Sequence, residues 1–222
     1  YSLLDGVSRL NRLCYAAKER GQNAIAITDH GNLFGAVDFY RTAKKHGIKP
    51  IIGCEVYVAS RSRFDKVHGI DSNRHHLVLL CKNETGYQNL IKLVSSAWVD
   101  GFYTKPRIDR ELLEKHHEGL IALSACLAGE IPKLIANNEY IKARETALWY
   151  NNLFGQGNYY LEMQNHGIPE QIAVNEGLIH LSNETGIPLV ATNDVHYVNR
   201  EDSYIQKILI CIATNHTVDE EN

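Results

Sequence analysis

Short apolar runs alternate with helix-patterned stretches along almost the whole chain, and that rhythm restricts the fold more than any other feature. Strands separated by helices of this length form parallel β-α-β units, with a sheet that is buried or closed on itself. Ser8 to Arg20 reads as a helix, with Leu10, Leu13, Cys14 and Ala17 at helical spacing and Gly21 as a stop. Strand Ala24–Thr28, helix Leu33–His46 and strand Pro50–Val58 follow, and Pro50 suits a strand's first position. Then come strand His76–Cys81, a helix from about Thr85 to Trp98, strand Gly119–Ser124, and helices across Ile131–Asn137 and Tyr140–Leu153. Strand Asn158–Met163, helix Glu170–Thr185, strand Pro188–Thr192 and helix Glu201–Ala213 complete the series. No low-complexity linker divides it, so the expectation is one α/β, barrel-like domain.

Two of the strands end in ionisable residues. Ala24-Ile25-Ala26-Ile27 runs into Thr28-Asp29-His30, and Pro188-Leu189-Val190-Ala191 into Thr192-Asn193-Asp194-Val195-His196. In an α/β barrel the carboxyl ends of the strands are where catalytic and metal-binding side chains sit. Period-two alternation puts Ala24, Ala26, Thr28 and His30 on one face, so His30 is expected at the barrel mouth. Asp29 then caps the next turn or supports the shell; a plain loop pair leading into Asn32 is the alternative. In the later run Asp194 and His196 share a face with Val190 and Thr192, a D-x-H pair suited to a metal. A turn aspartate beside a surface histidine is the competing reading.

Other positions have the same chemistry. Glu55 lies inside an apolar strand, where a carboxylate needs a cation or hydrogen-bond donors. His75 and His76 point to opposite faces, and alternation does not choose between them. Cys126 follows a strand end, where a thiolate can ligate zinc or the thiol can simply pack. Asp5 is uninformative alone, Glu162 and His166 are second-tier candidates, and Arg107 is a candidate phosphate ligand. A mixture of His, Asp, Glu and Cys suits zinc or manganese better than calcium.

Composition excludes some classes. A chain of 222 residues with 44% hydrophobic and 22% charged content is ordinary for a water-soluble fold. No apolar stretch approaches the roughly 20 residues needed to cross a bilayer, and no signal peptide is visible. A net charge of -3 argues against a surface that is basic throughout, though a local basic groove is compatible with it. Five scattered cysteines with no C-x-x-C pair read as reduced thiols, hence a cytoplasmic protein, and eleven histidines favour metal chemistry. The opening loop without a preceding strand and the polar end at Thr217–Asn222 suggest a piece of something longer.

Several longer motifs carry a resemblance. Tyr1-Ser2-Leu3-Leu4-Asp5-Gly6, Ala26-Ile27-Thr28-Asp29-His30-Gly31-Asn32-Leu33-Phe34-Gly35-Ala36-Val37 and Lys49-Pro50-Ile51-Ile52-Gly53-Cys54-Glu55 closely resemble the amino-terminal domain of bacterial DNA polymerase III alpha subunits. Gly101-Phe102-Tyr103-Thr104-Lys105-Pro106-Arg107-Ile108-Asp109 and Ala191-Thr192-Asn193-Asp194-Val195-His196-Tyr197 extend the match. Those domains belong to the polymerase and histidinol phosphatase (PHP) superfamily. The resemblance implies a distorted TIM-like β/α barrel, here lacking its first strand, over residues 1–213, with 214–222 opening a linker toward a polymerase region. It implies up to three zinc or manganese ions held by Asp5, His30, Glu55, His76, Cys126, Asp194 and His196. His76 is chosen because the family's ligand stands immediately before the apolar strand. Among these, Asp194, His196 and His30 are the expected catalytic residues. The family also begins with a strand ending in H-x-H, two further ligands that precede the first residue here. The implied activity is metal-dependent phosphodiester hydrolysis, a 3′→5′ exonuclease on a DNA primer end, with the rest of the polymerase and other replisome subunits as partners. A metal-stabilised scaffold and a free-standing phosphatase of the histidinol phosphate type are the alternatives.

Overall fold

The computed structural model describes residues 2 and 4–220; Tyr1, Leu3, Glu221 and Asn222, which fall in the opening motif and the expected linker, lie outside the described residues. The chain divides into two compact units. The first takes in residues up to 27, 34–51 and those from 194 onward; the second takes in 28–33 and 52–193.

In the first unit α1 (Leu10–Glu19) and α2 (Ala36–Lys45) flank β1 (Ala24–Ile27), and β2 (Lys49–Ala59) begins, its Lys49 amide donating to the Asn23 carbonyl at 2.9 Å. Cys14, Ala17, Phe39 and Ala43 are buried, the small or flat side of each helix. The last helix, α8 (Ser203–Thr214), follows a 3-10 turn at Arg200–Asp202. Arg12 Nη1 donates to Asp202 Oδ1 at 3.0 Å, and Arg20 Nη2 to the Val198 carbonyl at 3.2 Å. Both fasten the segment around residue 200 to α1.

The second unit holds the remaining strands: β3 (Arg74–Cys81), β4 (Arg107–Ile108), β5 (Leu120–Leu123), β6 (Tyr159–Met163) and β7 (Leu189–Ala191). Their order is β2-β3-β5-β6-β7, with β4 on the other side of β2. Helices α3 (Glu84–Val99), α4 (Arg110–His116), α5 (Glu130–Ala136), α6 (Tyr140–Phe154) and α7 (Pro169–Thr185) lie between them in sequence. The expected α/β class is what the protein adopts. Alternation in β2 and β3 separates two faces. Cys54, Val56, Val58, Leu77 and Leu79 enter a large core with Leu90, Leu93, Ile108, Leu120, Tyr150, Tyr159 and Leu161. The other face of β3 and β5 carries a smaller cluster of Val78, Leu123 and Ala125.

One strand runs against the expected direction. The pairs β2–β4, β5–β6 and β6–β7 are parallel, but β3 is antiparallel to both β2 and β5. No helix separates β2 from β3, so the chain returns beside the strand it has just left instead of crossing over. The intervening polar segment is tied down by charge: Asp71 accepts two bonds from Arg61, at 2.9 and 2.6 Å, and Arg63 is bonded to Asp109 at 2.8 Å. The short β4 and α4 are also absent from the periodicity. Asp109 starts α4 by accepting from the Leu112 amide at 3.0 Å.

Candidate metal centre

The reversed strand decides what meets Glu55. Because β3 runs antiparallel, its first residues lie beside the carboxyl end of β2, with Tyr57 opposite His76 and Glu55 opposite Val78. Glu55, Tyr57, Arg74 and His76 therefore share a face, the one opposite the main core. Glu55 is only 5% exposed. Its Oε1 contacts His76 Nδ1 and lies 3.5 Å from His30 Nδ1. Cys126, just past β5, places Sγ 3.6 Å from the same His76 nitrogen.

His30 reaches Glu55 through backbone geometry. The Glu55 amide donates to the Asp29 carbonyl at 3.1 Å, and the Gly31 amide donates to the Glu55 carbonyl at 2.9 Å. Gly31 is left-handed (φ +64°), and a Cβ there would stand 2.8 Å from Pro106 Cγ and 3.2 Å from the Tyr57 ring. Only glycine makes that turn at that distance. Asp29 acts through its carbonyl, which also accepts from the Cys54 thiol at 3.2 Å. Burial pushes the Cys54 thiol far above its ordinary range, so it remains a packed thiol.

The ligand atoms of Glu55, His76 and Cys126 all lie within 4.8 Å of one another. A buried carboxylate and a sulfur crowded around one imidazole fit a divalent metal ion, because a cation compensates the charge that burial would otherwise penalise.

A second group stands in the first unit. The Val7 amide donates to the His196 carbonyl at 2.8 Å, which brings the opening loop to the segment after β7. His196 Nε2 then lies 3.4 Å from Asp5 Oδ2, while Nδ1 is 2.7 Å from the Asp194 carbonyl and 3.8 Å from Asp194 Oδ1. The bond to the Asp5 carboxylate, with the Asp194 carbonyl and charge behind it, raises the His196 pKa to about 9 against the opposing effect of burial. Carboxylates placed to hold an imidazolium can equally hold a metal ion, with Nε2 as the ligating nitrogen when Nδ1–H is directed at a carbonyl. β7 ends at Ala191, and Asp194 is left-handed (φ 45°), so a turn rather than strand alternation brings Asp194 to His196.

The remaining candidates sit elsewhere. His75 points away from Glu55, and burial holds its pKa below the ordinary value. Glu162 is buried and accepts from the Thr192 hydroxyl and from Gln164 Nε2 at 3.3 Å. His166 meets the Asn193 carbonyl at 2.8 Å and Gln171 Nε2 at 3.0 Å. Arg107, expected to bind phosphate, is corrected by its surroundings. It is 1% exposed, and Nε donates to the Gly101 carbonyl at 3.0 Å, Nη1 to that of Asp71 at 2.9 Å, and Nη2 to those of Arg63 and Asp65 at 2.9 and 2.8 Å. All three nitrogens are engaged with the backbone, so the residue is structural. Tyr57 carries no metal-ligating chemistry that marks it in the sequence; its ring stands edge-on to His76 at 5.2 Å and stacks on His30 at 6.4 Å. The signal was present, since alternation puts residues 55 and 57 on one face.

Residues 1–166 match the model of the PHP domain. The chain is 51% identical to the DNA polymerase III subunit alpha of Borreliella burgdorferi and 52% identical to that of Treponema pallidum, in each case over all of this chain and 19% of the relative. It is 48% identical to that of Thermus aquaticus over 99% of this chain and 18% of the relative. The chain thus spans about a fifth of the length of these relatives. Among solved structures, a putative metal-dependent phosphoesterase from Bifidobacterium adolescentis superposes with a TM-score of 0.52 at 12% identity, covering 86% of this chain and 84% of that one. An amidohydrolase from Chromobacterium violaceum gives 0.50 at 15%, covering 89% and 85%. At these identities the likeness is one of fold.

Proposed function

The chain belongs to the PHP domain family, and we propose that it is the amino-terminal domain of a replicative DNA polymerase III alpha subunit carrying a metal-dependent phosphodiesterase centre. The observation that carries this reading is the convergence of Glu55, His76 and Cys126, with ligand atoms within 4.8 Å of one another and His30 beside Glu55. The PHP domain would occupy residues 1–213, with 214–222 opening the linker to the polymerase region. Zinc or manganese, up to three ions in the complete domain, would be held by His30, Glu55, His76 and Cys126 in one unit and by Asp5, Asp194 and His196 in the other. Such ions supply polarisation of a phosphoryl oxygen and a water of lowered pKa.

The chain's own residues set the terms for that chemistry. Glu55 brings a carboxylate into a buried position, and Tyr57 stacks on His30 and stands edge-on to His76. The Asp194 carbonyl fixes the His196 ring so that Nε2 faces Asp5, and His196 can carry a proton there until a metal displaces it. The substrate proposed is the 3′ end of a DNA strand, cut 3′→5′ in proofreading, with Asp194, His196 and His30 as catalytic residues, in the cytoplasm and beside other replisome subunits.

The burial of Glu55 favours a second reading, a metal that stabilises a scaffold without turnover. The test is metal analysis together with cleavage of a 3′-mispaired primer by the manganese- or zinc-loaded protein. Asp194→Ala and His196→Ala should each cut the rate at least about a hundredfold while leaving the melting temperature within a few degrees. A protein that binds metal, cleaves no ester and merely loses stability in these variants is a scaffold.

A further inference from the structure

Two cations flank the Glu55 group, and among the described residues neither is paired with a carboxylate. Arg74 stands two residues before His76 on β3 and on the same face, opposite Ala59 in the ladder. Its guanidinium carbon lies 5.5 Å from the centre of the Tyr57 ring. Lys105, in the loop that precedes β4, brings Nζ to 5.8 Å from the same ring centre. The centre of that ring in turn lies 6.4 Å from that of His30 and 5.2 Å from that of His76, so the two cations border the candidate metal ligands.

Their partners are few. Arg74 Nη1 donates to the Ser72 carbonyl at 2.8 Å, and its Nε is buried with no hydrogen-bond partner among the described residues. Lys105 is exposed. Among the described residues, neither forms an ion pair with a carboxylate, in a chain whose net charge is -3 and whose neighbouring arginines Arg61 and Arg63 are both bonded to aspartates. Lys133 Nζ donates to the Arg74 carbonyl at 2.9 Å, which fixes the backbone from which the guanidinium projects. Two like charges gathered around one aromatic ring repel each other, and an anion beside them offsets that repulsion. Guanidinium and ammonium groups are the standard partners of phosphate oxygens.

We propose that Arg74 and Lys105, held over the Tyr57 ring at the border of the Glu55–His76–Cys126 group, bind the non-bridging phosphate oxygens of the substrate ester. The proposal rests on the phosphoesterase reading above and assigns the role that Arg107 cannot fill. It names a phosphate group. Whether that group belongs to a nucleic-acid strand or to a small monoester is decided by the test.

The experiment titrates the 222-residue chain with a fluorescein-labelled single-stranded DNA oligomer, and separately with phenyl phosphate, in chelator so that no metal contributes. Arg74→Gln and Lys105→Gln should each weaken binding of the DNA about tenfold and lower the salt-dependence slope by about one. Lys105→Arg should restore it, and the melting temperature should remain near that of the parent. Weakening seen with phenyl phosphate but not with DNA keeps the clamp and assigns it to a monoester. Unchanged affinity for both probes in both variants overturns it, as does a loss that Lys105→Arg fails to restore. The two readings fail separately. In the manganese-loaded protein, ester cleavage with an unchanged KM in both variants sinks the clamp alone. Metal uptake without cleavage, with probe binding still weakened in the variants, sinks the phosphoesterase reading alone.

Discussion

A guanidinium withdrawn from water must find acceptors for its donors, and Arg107 finds four backbone carbonyls, those of Gly101, Asp71, Arg63 and Asp65. Cutting it back would leave several buried carbonyls unmet, so Arg107→Ala should cost about 3 kcal/mol or more. The check is a urea unfolding curve, and a midpoint within error of the parent would refute the structural role. In the sequence Arg107 stands in a Lys-Pro-Arg string that looks like surface charge; its burial depends on a loop many residues away. Asp71, in that loop, is held below its ordinary carboxyl pKa of 3.8 chiefly by the Arg61 bond, helped by the Val67 amide. A depressed carboxylate stabilises the fold above its unfolded pKa, and the contribution disappears as pH falls through the folded value. Stability should therefore be flat near neutrality and decline below about pH 4. Asp71→Asn should be less stable at pH 7 and show a shallower acid decline, as followed by urea midpoints at several pH values. An unchanged acid limb in the variant would place that sensitivity in other carboxylates.

At the level of elements, periodicity located the long helices and nearly every strand, because each of these carries its own apolar stripe. It did not reveal that β3 runs antiparallel, since direction depends on what connects two strands and not on the pattern within either. Nor could it find β4, whose residues Arg107 and Ile108 show no alternation. The site depends on the missed feature. His76 opens β3, and only an antiparallel strand places its first residues beside Glu55 and Tyr57 at the end of β2. The turn after β1 is equally exacting. Gly31→Ala would force a side chain into the left-handed region with its Cβ 2.8 Å from Pro106. A cost of about 1–3 kcal/mol is expected, together with displacement of Tyr57 and looser metal binding through His30. Thermal melting and metal titration of the same variant check both; a variant that keeps its metal affinity would detach the turn from the site.

Across the whole molecule, the chemistry of the candidate residues was more legible than their placement. His30, Glu55, His76 and Cys126 were nominated from motif and chemistry, and all four gather in one unit, while Asp5, Asp194 and His196 gather in the other. What the pattern missed were the side chains that act on a site without resembling ligands, Tyr57 and the cations over it, because nothing in a linear string records which ring lies beneath which charge. If the gathered donors bind metal, folding and binding must be linked, because unfolding disperses them. At a metal concentration a hundredfold above its dissociation constant, the native state should gain about 2.7 kcal/mol. For a chain of this size that corresponds to a rise of about 5–10 °C in melting temperature. Zinc or manganese added to chelator-treated protein should produce that rise, and a chelator should reverse it. Glu55→Gln or Cys126→Ser should remove most of the shift. Asp194→Asn, in the other unit, should leave the part that comes from the Glu55 group. Hydrogen exchange would separate the two contributions, with protection appearing along residues 52–59 and 74–78 for one group and near 194–198 for the other. A melting temperature indifferent to both metals would mean that these side chains are held by their own ion pairs, and the metal centre would have to be abandoned.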